Sequence, residues 1–151
     1  MNIMEAAKTS GAAIINGEGL ILGRMCSQVA KRILNGEEVI IVNAEKVMLS
    51  GKRQNKVLEA HVFLEVGAPD RGPFHSRRPD RIVRKTVRGM VPWKQPKGKV
   101  AYKRLKVFMG VPVELKDHAM ETFQNANISN LKGPRLSLGE LAAEIGWNKG
   151  A

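Results

Sequence analysis

The chain has 151 residues, 43% of them hydrophobic, with a formal net charge of +11; that suits one domain with a real core and excludes two of ordinary size. Its single cysteine, Cys26, excludes an internal disulfide, and no run approaches the roughly 18 apolar residues of a membrane span. Met1 to Ala12 lack the basic start and apolar run of a secretory signal, so a reducing, cytoplasmic location is expected.

Ala12-Ala13-Ile14-Ile15, closed by Asn16-Gly17, reads as a buried strand. A helix follows, because Leu22, Met25, Cys26, Val29, Ala30 and Ile33 recur at three- and four-residue spacing and Asn35-Gly36 supplies a stop. Cys26 lies in that apolar stripe, so it reads as a small core residue rather than a reactive or metal-binding one. Glu38 to Asn43 contains four consecutive β-branched residues and reads as a strand buried on both faces. Strand, helix and strand within about 30 residues imply a βαβ unit and a parallel sheet. Val47-Met48-Leu49 is read as a short third strand, about Lys52 to Glu65 as a helix, Gly67 to Arg78 as a loop, and Leu105 to Met109 as a further strand. Near the end of the chain, Ser137 and Glu140 form an S-x-x-E capping box, with Leu136 and Leu141 placed for a hydrophobic staple. The short helix they open is marginal alone and is expected to dock on the chain's own domain, anchored by Trp147, with Glu114 to Lys132 as a long surface connection.

The charge is unevenly spread. Residues 71–106 hold thirteen of the 25 Lys and Arg and one acid, Asp80, so this segment carries +12 and the rest of the chain −1. Such confinement marks a surface that holds a polyanion, and nucleic acid is the leading partner. Within it, Pro79 to Met90 reads as a helix begun by Pro79 and Asp80 and ended by Gly89. Ile82, Val83, Thr86, Val87 and Met90 fall on one side of the wheel, and Arg81, Arg84, Lys85 and Arg88 on the other. An ordinary solvated face mixes Glu with Lys, so four bases without an acid favour phosphate contact. Arg71, Arg77 and Arg78 precede this helix and Lys94, Lys97, Lys99, Lys103 and Arg104 follow it, interleaved with Phe74, His75, Trp93 and Tyr102. Extended basic arms with aromatic rings suit irregular folded RNA, whose unpaired bases offer flat faces. Trp93 reads equally well as packing under the Pro92 loop or as a stacking ring.

An enzyme has little support. Gly17, Gly19 and Gly23 sit where a dinucleotide-binding turn would be, but Leu22 takes the third glycine position and the second strand ends in neutral Asn43. His61, His75 and His118 are scattered, with no nucleophile elbow, phosphate loop or metal-ligand pair, so no catalytic residue, metal or cofactor is expected. A nucleotide-binding enzyme of doubly wound fold is the alternative reading.

Several separated motifs carry a resemblance: Leu20-Ile21-Leu22-Gly23-Arg24, Val42-Asn43-Ala44-Glu45, Arg71-Gly72-Pro73-Phe74-His75, Arg78-Pro79-Asp80-Arg81-Ile82, Thr86 to Pro92 and Leu105 to Pro112. Over about residues 14–112 the chain resembles the archaeal and eukaryotic branch of the L-thirteen family of large-subunit ribosomal proteins. Met25-Cys26 stands in place of Leu-Ala and Val91 in place of Leu; both keep apolar volume. The resemblance implies an α/β domain with a mainly parallel four-stranded sheet, no enzymatic activity, and a place on large-subunit ribosomal RNA beside other ribosomal proteins, with no membrane or small-molecule partner. The expected organisation is a flexible arm over residues 1–11, an α/β RNA-binding domain with helices on both sheet faces over 12–112, and an extension over 113–151 with a docked helix at 138–146.

Overall fold

The computed structural model describes residues 11–68 and 70–148, so the expected N-terminal arm lies outside the described residues except for Gly11. Three parallel strands form the central sheet in the order β1 (Ala13–Asn16), β2 (Val39–Val42) and β4 (Leu105–Val107). Register runs Ala13 to Val39 and Val39 to Leu105, which makes β2 the middle strand, and all four of its residues are buried. Helix α1 (Leu22–Asn35) buries the six residues whose spacing predicts it. It ends at Gly36, whose φ of 105° places it in the left-handed region that glycine adopts without strain.

The short strand expected at Val47-Met48-Leu49 does not join this sheet, which has three strands rather than four. Asn43 adopts a left-handed conformation, with φ 57°, and turns the chain into a 3-10 helix over Ala44–Lys46. Strand β3 (Met48–Ser50) therefore leaves the parallel sheet and pairs antiparallel with β5 (Arg135–Ser137). A Glu45 carboxylate accepting the Gly110 N–H at 2.9 and 3.1 Å holds that turn against the end of β4. The two sheets remain linked, because Met48 N–H donates to Leu20 O at 2.8 Å.

Alternation along the strands separates two faces. Ile15, Val39 and Ile41 point into the main core, which α1, α3 (Pro79–Met90), β5 and α5 (Leu138–Glu144) complete. Ile14, Ile40 and Val42 point the other way and pack on Leu115 of the 3-10 helix Val113–Leu115, so helical structure lies on both faces but unequally. The stretch from Glu114 to Lys132 is not a plain surface connection. Leu115, Phe123 and Ala126 are buried, and Glu121 bridges to the free edge of β1, donating to Ile14 O at 2.8 Å and accepting from Asn16 N–H at 3.0 Å. Without regular spacing, those apolar residues send no periodic signal.

The capping box forms: Ser137 Oγ accepts from Glu140 N–H at 3.2 Å and Glu140 Oε2 accepts from Ser137 N–H at 2.9 Å. Leu136, Leu138, Leu141 and Ala142 place α5 in the main core. Helix α2 (Arg53–Glu65) is different, for it has no buried residue and leaves Leu58, Val62 and Phe63 exposed. Among the described residues no helix is long and apolar enough to cross a membrane.

Candidate nucleic-acid interface

Helix α3 divides as its sequence pattern demands. Val83 and Val87 are fully buried against α1 and β4, whereas Arg81, Arg84, Lys85 and Arg88 are exposed. Ile82 and Thr86 are half-buried, and Met90, expected on the core side, is 41% exposed in the last residue of the helix. Gly89 does not end the helix: its φ is not positive, and the helix continues through it to Met90 before Val91 turns extended.

The residues before α3 divide in role. Arg78 pairs with Asp80 across 3.1 and 3.2 Å, which consumes the only acid of the basic segment. Arg71 and Arg77 are exposed, and Arg77 lies beside Gly146 in the turn after α5. Phe74 is 82% exposed, so its ring is open to a flat partner. His75 is half-buried, edge-on to Phe63 at 5.1 Å between centroids, with Lys85 Nζ at its Nδ1.

The segment after α3 is not an extended arm. Pro96–Lys103 forms helix α4, begun by Pro96 in its first turn, and it carries exposed Lys97, Lys99 and Lys103; exposed Lys94 lies in the turn before it. The seat is tight. A Cβ on Gly98 would lie 2.1 Å from Pro92 O, so only glycine lets α4 close against the Pro92 turn. The sequence pattern of α4 is short and carries little amphipathic signal, and its contacts rather than its periodicity explain it. Arg104 is half-buried and donates through Nη1 to Ile33 O at 3.1 Å, satisfying a carbonyl in the last turn of α1; it serves the fold more than the surface.

Aromatic rings support the cations. Arg88 sits 4.2 Å from the Trp93 centroid, Arg84 5.2 Å from Tyr102, and Lys85 4.9 Å from Phe63. Trp93 and Tyr102 meet edge to face at 5.1 Å. Trp93 is thus half-buried with a guanidinium on one face. Phe63 of α2 is the member that charge patterning missed, because a ring contact between separate elements leaves no trace in local spacing. Of the thirteen bases in residues 71–106, only Arg78 has a carboxylate within ion-pair distance among the described residues.

The turn between β1 and α1 is occupied by the protein itself. A Cβ on Gly17 would lie 2.8 Å from Val47 Cγ2 and 3.0 Å from Val42 O, while the Ile21 N–H at the start of α1 donates to Ala126 O at 2.7 Å. The N–H groups of Gly17, Gly19 and Leu20 likewise donate to backbone carbonyls, of Val42, Lys46 and Gly17, so the turn itself is closed by the protein's own hydrogen bonds. Burial pushes the Cys26 thiol up to about 12, which makes it a poor nucleophile.

These features place a cluster of exposed cations, all but Arg78 without a carboxylate partner among the described residues, on a small α/β scaffold. A family model described as ribosomal protein L13 matches residues 11–114. The large ribosomal subunit protein uL13 of Methanosarcina barkeri is 44% identical over 135 residues, covering 88% of this chain and 96% of the relative. That of Archaeoglobus fulgidus is 38% identical over 151 residues and covers 97% of each chain. The chain belongs to the ribosomal protein L13 family, whose members are structural proteins and not enzymes.

Proposed function

We propose that the protein is a structural constituent of the large ribosomal subunit that binds and stabilises folded ribosomal RNA, working in the cytoplasm beside neighbouring ribosomal proteins. The outward face of α3 is the centre of the contact, with Arg81, Arg84, Lys85 and Arg88 on phosphates. Lys94, Lys97, Lys99 and Lys103 extend it on one side, and Arg71, Phe74, His75 and Arg77 on the other. Arg78 and Arg104 contribute least, since one is paired with Asp80 and the other with Ile33 O. One observation carries this reading: a dense row of exposed cations without carboxylate partners repels itself unless a polyanion neutralises it. Family membership supports the same reading, and the relatives named above are large-subunit proteins.

The experiment is a salt titration of binding to purified large-subunit ribosomal RNA. If about six cations neutralise phosphates, the logarithmic slope is about −4 to −5, a loss of roughly a thousandfold between 50 and 200 mM salt. A slope shallower than about −2 would refute an extended phosphate contact.

A further inference from the structure

We propose that the C-terminal end of α3 reads ribose: the carbonyls of Arg88 and Gly89 accept the 2′-hydroxyl of one nucleotide whose flanking phosphates rest on Lys85, Arg88 and Lys94. This rests on the RNA-binding reading above and adds to it a point of closest approach and a basis for preferring RNA to DNA.

Gly89 is the first observation. It lies one residue before the end of α3 without a left-handed φ, so its conformation does not require glycine. Packing does not require it either, because an added Cβ meets nothing within 4 Å. Glycine disfavours a helix relative to alanine. Neither local backbone nor core explains the residue; what it provides is a bare strip of helix backbone.

Free acceptors on that strip are the second observation. The Arg88 carbonyl would bond four residues on, but that position is Pro92, which has no N–H. The Gly89 carbonyl would take the Trp93 N–H, but that group donates to Val91 O at 2.7 Å. Among the described residues neither carbonyl accepts another hydrogen bond from outside the helix. Helix ends leave such carbonyls for outside donors. They carry the negative end of the helix dipole, which favours a donor and disfavours a bare phosphate.

The surroundings supply the third. Gly89 opens on a hollow of about 520 Å³ walled by Lys85, Arg88, Trp93 and Lys94. Arg88 is steadied on the Trp93 ring at 4.2 Å, so cations stand around an uncapped carbonyl pair. A ribose with a phosphate on either side presents the matching pattern, a hydroxyl donor between two anions. The 2′-hydroxyl is the group by which a protein distinguishes RNA from DNA.

The test uses the full chain with Gly89→Ala and Gly89→Leu, both good helix formers. In the free protein Gly89→Ala should raise the Tm by about 2 °C. Binding of Gly89→Leu to large-subunit ribosomal RNA should fall about tenfold with the salt slope unchanged, since a hydrogen bond and no charge is lost. The wild type should bind a short uridine oligoribonucleotide more tightly than its deoxyribose counterpart, and Gly89→Leu should bind both alike. Wild-type RNA affinity in a folded Gly89→Leu variant, or no ribose preference in the wild type, overturns the inference. An Arg81, Arg84, Lys85 and Arg88 to Gln variant serves as the control: if it too binds RNA undiminished, the RNA-binding reading itself fails rather than this addition to it.

Discussion

Replacing Arg81, Arg84, Lys85 and Arg88 together by Gln separates the surface from the fold within one helix. Gln keeps helix propensity, and all four side chains are exposed without carboxylate partners, so no ion pair is lost. Two terms of opposite sign act on stability. The like-charged pairs Arg81 with Lys85 and Arg84 with Arg88, four residues apart, each oppose the helix by about 0.2–0.5 kcal/mol. The contacts of Arg84, Lys85 and Arg88 with Tyr102, Phe63 and Trp93 each contribute about 0.5–1 kcal/mol at exposed sites. The net change is a loss of about 0.5–2.6 kcal/mol, inside the roughly 5–15 kcal/mol that holds a domain together. Binding should change far more. Each neutralised phosphate releases about 0.7–0.9 of a counterion, so four fewer contacts lower the salt slope by about 3 and the affinity near 0.1 M salt by about a thousandfold. Circular dichroism melts and filter binding at several salt concentrations measure both quantities on one preparation. A variant that melts cooperatively near wild type, yet binds ribosomal RNA with unchanged affinity and slope, refutes the assignment and moves the site to the elements around Phe74 and α4.

The opposite face of the same helix makes the converse demand: Val83→Asp buries an unpaired carboxylate at a fully buried position, so thermal melts should show a loss of several kcal/mol or no cooperative transition. Ser137→Ala should cost about 1 kcal/mol by removing the cap of α5, read as a lower urea midpoint with unchanged m-value. The Ser137 N–H and hydroxyl hold the Glu140 carboxyl below its ordinary value, so the stability this pairing contributes is present at neutral pH and lost as pH falls through the lowered pKa; the variant should show less of that acid loss. Cys26 should resist thiol reagents in the folded protein and react on unfolding. The unfolded thiol gives up its proton near 9.0 and the folded one near about 12, so stability falls as pH rises between them. The contribution of this group falls by up to about 1.4 kcal/mol per pH unit, and a Cys26→Ala variant measured over the same range should lack it.

Local pattern alone determined much of this protein. The six apolar positions of α1, the β-branched run of β2 and the two faces of α3 are each legible because burial imposes a period of 3.6 or 2 on neighbouring residues. The concentration of charge in residues 71–106 is likewise a property of the chain, and it marks the candidate surface without reference to the fold. Tertiary structure decided what periodicity cannot carry. It sent β3 out of the parallel sheet through one left-handed residue, Asn43, and paired it with β5, some 85 residues along the chain. It drew Leu115, Phe123 and Ala126 into the core from a stretch without regular spacing. It also made α4 a helix, because Gly98 permits a close approach to Pro92 that no neighbour in sequence reveals. Which cations stand free was decided there too: Arg78, Arg88 and Arg104 are alike in the sequence, but one meets Asp80, one rests on Trp93 and one reaches Ile33 O. Those differences depend on contacts between residues distant in the chain or turned toward one another by the fold, and local composition holds no record of them.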